Sequence, residues 1–201
     1  HRDLHSFPTR RSSDLFADTI TIGNAAEGAV YNAYKVFDLT YNSNQTSFAY
    51  SIDSSSPFFS AVQTFASNTD NGITLRRIGT STTYNVTFDD TKFTGATAGS
   101  SPTAANGKAG ELAVALKAVA DEFNDTQKST YRAGTATATS DGQTGLTISV
   151  TDHGYYFLTT TSGTVFSLDS TTPDVTIMDK NEKPTIDKTV EENGLSLCCE
   201  K

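Results

Sequence analysis

Short runs of β-branched and aromatic residues recur along this chain at roughly even spacing, each closed by a cluster of Gly, Asn, Asp or Ser. That punctuation leaves little room for long helices, and it predicts strands at 18–22, 29–40, 46–52, 73–78, 82–88, 131–139, 145–151, 154–160, 163–168, 174–178 and 185–190. Many short strands joined by turn residues predict a mainly β sandwich. Composition points the same way: 33 Thr and 21 Ser among 201 residues, with no Trp and one Met, is the style of β-rich secreted surface proteins.

Within the run from Ala29 to Tyr41, alternation puts Tyr31, Ala33, Lys35, Phe37, Leu39 and Tyr41 on one face, the expected core face, with Asn32 and Asp38 on the other. Two segments break the β pattern. Ser56-Pro57 followed by FFSAVQTFAS predicts a short helix with Phe58, Val62 and Phe65 on one side. KAGELAVALKAVADEF, residues 108–123, spaces Leu112, Leu116, Val119 and Phe123 for a second helix across an open sheet face, with Asn124 as its stop. The stretch 95–107 reads as a loop. DKNEKP, residues 179–184, reads as a linker, and PTIDKTVEEN restarts an alternating pattern. Residues 18–183 are therefore expected to form one domain and 184–201 the truncated start of another.

The N-terminal stretch HRDLHSFPTRRSSDL differs in composition from everything after it. Its run His5 to Leu15 resembles the in-frame translation of a common sequencing adapter, so residues 1–15 are read as an artefact that contributes nothing to the fold. Phe16-Ala17 resembles the remnant of a signal peptide, with the mature chain beginning at Asp18.

Several functional classes are disfavoured. A formal charge of -8 argues against nucleic acid as a partner. The only cysteines, Cys198 and Cys199, are adjacent, so they build neither a disulfide framework nor a metal site. No nucleophile elbow or Gly-rich phosphate loop is present, so neither a catalytic centre nor a cofactor is expected. His153 reads as a turn histidine before Gly154, and Asp89-Asp90 and Asp121-Glu122 lack the spacing of a calcium loop. Asn44, Asn85 and Asn124 open N-x-T triplets, which would matter in a eukaryotic secreted protein.

Three stretches in order, ADTITIGNAAEGAVYNAYKVFDLTYN, SPFFSAVQTFA and ISVTDHGYYFLTTTSGTVFSLDSTTPDVTIMDKNEKPTIDKTVEEN, resemble the N-terminal domain of Gram-positive backbone pilins, isopeptide-forming fimbrial proteins assembled by sortases. The resemblance covers about residues 16–193. It implies a secreted, wall-attached shaft subunit of immunoglobulin-like sandwich domains, without turnover chemistry, whose partners are other pilin subunits, a sortase and host surface ligands. The family's acceptor lysine sits in a Tyr-Pro-Lys-Asn type motif. TIMDKN aligns Lys180 and Asn181 with its last two positions, Met178 and Asp179 replace Tyr and Pro, and Lys183 is a rival. The family's glutamate box ending in Gly-Tyr is matched by TDHGYY, which lacks the glutamate.

An intramolecular isopeptide bond needs a neutral lysine amine, an asparagine carboxamide and a protonated carboxylic acid, and burial favours all three states. Lys35, between Ala33 and Phe37, is one candidate, although a lysine snorkelling from a sheet edge would show the same pattern. Lys188, between Ile186 and Val190, is a candidate for the following domain. The rival function is an adhesin or carbohydrate-binding module presenting Tyr155 and Tyr156 as an aromatic platform. A third is an accessory domain of a secreted hydrolase, for which no paired-carboxylate or triad pattern is seen.

Overall fold

The computed structural model describes residues 18–41, 48–94, 107–161, 165–170 and 174–178. The strands are β1 (Asp18–Gly23), β2 (Val30–Tyr41), β3 (Phe48–Asp53), β4 (Ile73–Arg77), β5 (Thr83–Phe88), β6 (Arg132–Thr137), β7 (Leu146–Val150), β8 (Gly154–Thr160), β9 (Val165–Ser170) and β10 (Asp174–Met178). They form two sheets, a small one in the order β10-β1-β7 and a large one in the order β4-β5-β3-β2-β8-β9, with β6 pairing β2 beyond the end of β3. The fold is mainly β and sandwich-like, as the strand spacing predicts. The expected boundary at 183 and the segments 1–17 and 184–201 lie outside the described residues.

Helices α1 (Phe59–Ala66) and α2 (Gly107–Asp121) cover the face of the large sheet opposite the small one. In α1 the side chain of Ser56 accepts the Phe58 N–H at 3.3 Å, and Phe58 and Val62 are buried against the sheet. In α2, Leu112 and Leu116 are fully buried, and alanines 109, 113 and 120 let the helix approach closely. The sequence predicts two helices, but a third, α3 (Asp125–Tyr131), follows. Asn124 does not merely stop α2; it caps α3, accepting the Gln127 N–H while the Gln127 side chain accepts the Asn124 N–H. No residue of α3 is buried, so there was no apolar stripe to reveal it.

The central strands β2 and β8 therefore lie between two cores. One, on the helix side, gathers Tyr34, Phe37, Tyr50, Phe58, Tyr155 and Phe157; the other, under the small sheet, gathers Ile20, Ile22, Tyr31, Ile148, Tyr156 and Leu158. The one-core-face reading of β2 is corrected accordingly. Tyr34 and Val36 are buried as well, and the pairing slips between Lys35 and Phe37, so Phe37 joins the helix-side core while Lys35 stays opposite Tyr156. The sheets converge where β6 runs into β7, and Gly134 makes this possible: a Cβ there would sit 2.5 Å from Ile148 Cγ2 and 2.9 Å from Ser149 O.

The first and last described strands are neighbours. β1 and β10 run parallel, pairing from Thr19 opposite Asp174 to Gly23 opposite Met178. The chain thus enters this pair at one end and leaves it at the other, about 16 Å away at ~3.3 Å per residue.

Candidate functional site

Of the lysines singled out in the sequence, Lys180, Lys183 and Lys188 lie outside the described residues. Lys35 is described. It projects from the middle of β2, and its amine lies 2.6 Å from Asp38 Oδ1 and 3.3 Å from Asp152 Oδ2. Asp152 is held in the β7–β8 turn, where the Tyr156 hydroxyl donates to its carbonyl at 2.5 Å. Gly154 keeps the approach open, because a Cβ there would lie 2.6 Å from Phe37 O and 3.0 Å from Lys35 Cδ.

Burial pushes the Lys35 amine towards neutrality, but the hydrogen bonds and charges of Asp38 and Asp152 outweigh it, and the net shift is upward. Lys35 is therefore an ammonium at neutral pH, whereas an isopeptide bond requires a neutral amine facing a carboxamide. Its described partners are two carboxylates, and its side chain is 29% exposed. The arrangement is a surface ion-pair triad that ties the middle of β2 to the β7–β8 turn.

Lys35, Asp38 and Asp152 line an open groove of about 410 Å³, which Asp53 at the end of β3 also borders. Its carboxylate accepts from Thr82 Oγ1 at 2.6 Å, from Ser55 N at 2.9 Å and from Ser55 Oγ at 2.7 Å. These bonds, that from Thr82 first, lower its pKa from the ordinary 3.8 to about 2. Asp89 is lowered in the same way by Thr91. A depressed carboxylate contributes stability that is complete above its unfolded pKa and lost as pH falls through the folded one. The melting temperature should therefore fall as pH drops from about 3.8 towards 2, and Asp53→Asn should make that acid limb shallower. Lys35 has the opposite sign: its contribution is present below its ordinary 10.5 and lost above. Thermal melts across pH check both limbs; an unchanged acid limb in Asp53→Asn would remove Asp53 from this account.

The other sequence candidates resolve into structural roles. His153 occupies the turn ahead of Gly154, as expected. Asp89 Oδ1 accepts from the Thr91 N–H and hydroxyl, and Asp121 pairs with Lys117 at 2.5 Å. Among the described residues no group of His, Cys, Asp or Glu is arranged to hold a metal ion. Tyr155 and Tyr156 are each 1% exposed on β8, so they are core residues and not a surface platform. An aromatic groove does exist elsewhere, an opening of about 420 Å³ lined by Phe48, Tyr50, Phe88, Phe93 and the edge of Tyr155. No spacing in the sequence could reveal it, because its walls come from four separate segments.

No helix among the described residues is long and apolar enough to cross a membrane. Comparisons with family models, curated proteins and solved structures return no match.

Proposed function

We propose that this chain is a structural subunit of a surface fibre, a sortase-assembled pilin shaft domain that transmits load from one end to the other and is polymerised through Lys180, with Lys183 the rival acceptor. The observation that supports this reading is the parallel β1–β10 pair. Pulling the chain backward at Asp18 and forward at Met178 slides one strand along the other, so all five register pairs must yield together. Pulling apart two residues at the same end of the pair would open it one bond at a time. A shaft subunit needs the first geometry. The double core adds to it, since β1 cannot slide without dragging Ile20 and Ile22 out of their contacts under the large sheet. The pilin class, secretion and wall attachment rest on the sequence resemblance alone.

The test is single-molecule extension with handles at two pairs of positions. With handles at Asp18 and Met178 the unfolding force should be several-fold higher than with handles at Asp18 and Asp174, which lie at the same end of the pair. Equal forces would remove the load-bearing role. The alternative, an adhesive or carbohydrate-binding module, would draw on the groove at Phe48, Phe88 and Phe93 in place of Tyr155 and Tyr156.

A further inference from the structure

A second kind of site lies on the helix side of the large sheet, past the end of its hydrophobic core. There the C-terminal turn of α2, Lys128 of α3 and the first residue of β6 border a cavity of about 220 Å³ over the ends of β2 and β8. Three of the eight basic residues in the described segments, Lys117, Lys128 and Arg132, line it. Asp121 is the one carboxylate in the lining, so three cations against one anion leave a formal charge of +2 in a chain whose total is -8. Lys117 is paired with Asp121 at 2.5 Å. Arg132 gives a single hydrogen bond, from Nη1 to Asn32 Oδ1 at 3.3 Å, out of five N–H donors. The Lys128 ammonium has no partner among the described residues.

The floor of the cavity adds two hydroxyl-bearing side chains. Tyr34 is 3% exposed and Thr159 is 8% exposed, and both line the cavity. Neither side-chain hydroxyl is sealed from solvent, and each is placed to donate to a group held in the cavity. The Tyr34 ring is fixed by stacking on Phe157 at 5.2 Å, so its hydroxyl cannot swing away to find a partner. Hydroxyl donors open to the cavity, beside the Lys128 and Arg132 cations that no carboxylate pairs, suit a compact group with several acceptor oxygens and negative charge.

We propose that this cavity binds an oxyanion, the sulfate, phosphate or carboxylate group of a small polar ligand, between the Tyr34 and Thr159 hydroxyls and the Lys128 and Arg132 cations. The guanidinium fork matches two oxygens of such a group. A volume of 220 Å³, against about 30 Å³ for one water in the liquid, leaves room for the anion and several atoms attached to it. The inference stands on the cavity alone and is independent of the shaft reading.

The test is titration of the isotope-labelled full chain, followed by NMR at constant ionic strength, with sulfate, phosphate and glucuronate in turn. Saturable shifts are expected at Tyr34, Thr159, Lys128 and Arg132. Tyr34→Phe, which keeps the stacked ring, and Lys128→Gln, at an exposed position, should each weaken binding by about tenfold while the melting temperature stays put. Tighter binding of glucuronate identifies an acidic sugar as the source of the oxyanion, and tighter binding of sulfate or phosphate identifies a tetrahedral anion; both outcomes support the site. The proposal is overturned if none of the three ions gives saturable shifts at these residues, or if both variants bind as tightly as the parent.

Discussion

Replacing Phe157 with alanine is expected to destabilise the fold by about 3–5 kcal/mol, a large share of the ~5–15 kcal/mol that holds a typical domain together. Phe157 is fully buried on β8, the strand enclosed on both faces. Its ring stacks on Tyr34 at 5.2 Å and meets Phe58 edge-on at 5.3 Å. Each such pair contributes about 0.5–1.5 kcal/mol beyond area burial. Phe58 also meets Phe123 at 5.7 Å, so this one side chain links the sheet to α1 and to the segment after α2. Alanine would leave a cavity that neighbours locked in a sheet cannot close. Urea unfolding should show a lower midpoint with an unchanged slope. Val114→Ala, on the exposed side of α2, should shift stability by no more than about 0.5 kcal/mol. A loss below about 1 kcal/mol in Phe157→Ala would mean that the helix-side core is looser than this packing implies.

Most of the strands were legible because their signal is local. The β10 segment 174–178 and the β8 segment 154–160 coincide with the sequence reading, since each is a β-branched or aromatic run closed by turn residues. The faces were harder to read. A period-2 pattern assigns one apolar face only when the other meets water. β2 has Tyr34 on one side and Tyr31 on the other, both buried, and a slip in pairing after Lys35 changes the phase midway. The same enclosure accounts for Tyr155 and Tyr156, adjacent aromatics that suggest a platform in the sequence but point into opposite cores. Helix α3 left a different trace. DTQKSTY has no apolar stripe, yet the Asn124-x-x-Gln127 spacing is a capping box and would have marked its start. The cationic cavity was not legible at all, because Tyr34, Lys128 and Thr159 meet only through the tertiary fold.

If the chain is the shaft subunit proposed above, Lys180→Ala is expected to abolish its covalent polymers, the largest functional effect of any substitution. In sortase chemistry the enzyme holds a threonine of one subunit as a thioester. The amine of the next subunit attacks that carbonyl, forming an amide and releasing the enzyme's cysteine thiol. Such an amine must reach into the enzyme's cleft, so it belongs on a connecting segment near a domain end, not within a sheet. In the sequence Lys180 follows the last residue of β10, Met178, by two positions. Lys35 is a poor substitute, as an ammonium engaged by Asp38 and Asp152 on the central strand. The substitution should leave the monomer's melting temperature unchanged, which separates lost polymerisation from lost folding.

The most direct measurement is mass spectrometry of the branched peptides released by protease after the protein is incubated with a pilin-polymerising sortase. A threonine carboxyl joined to the Lys180 side chain, with ladders lost in Lys180→Ala and kept in Lys183→Ala, is the predicted result. A branch at Lys183 with the opposite pattern would move the acceptor three residues along the chain. Polymers that persist when both lysines are replaced, or a protein that forms no covalent polymer, would contradict the proposal that this chain is a shaft subunit joined through the segment after β10.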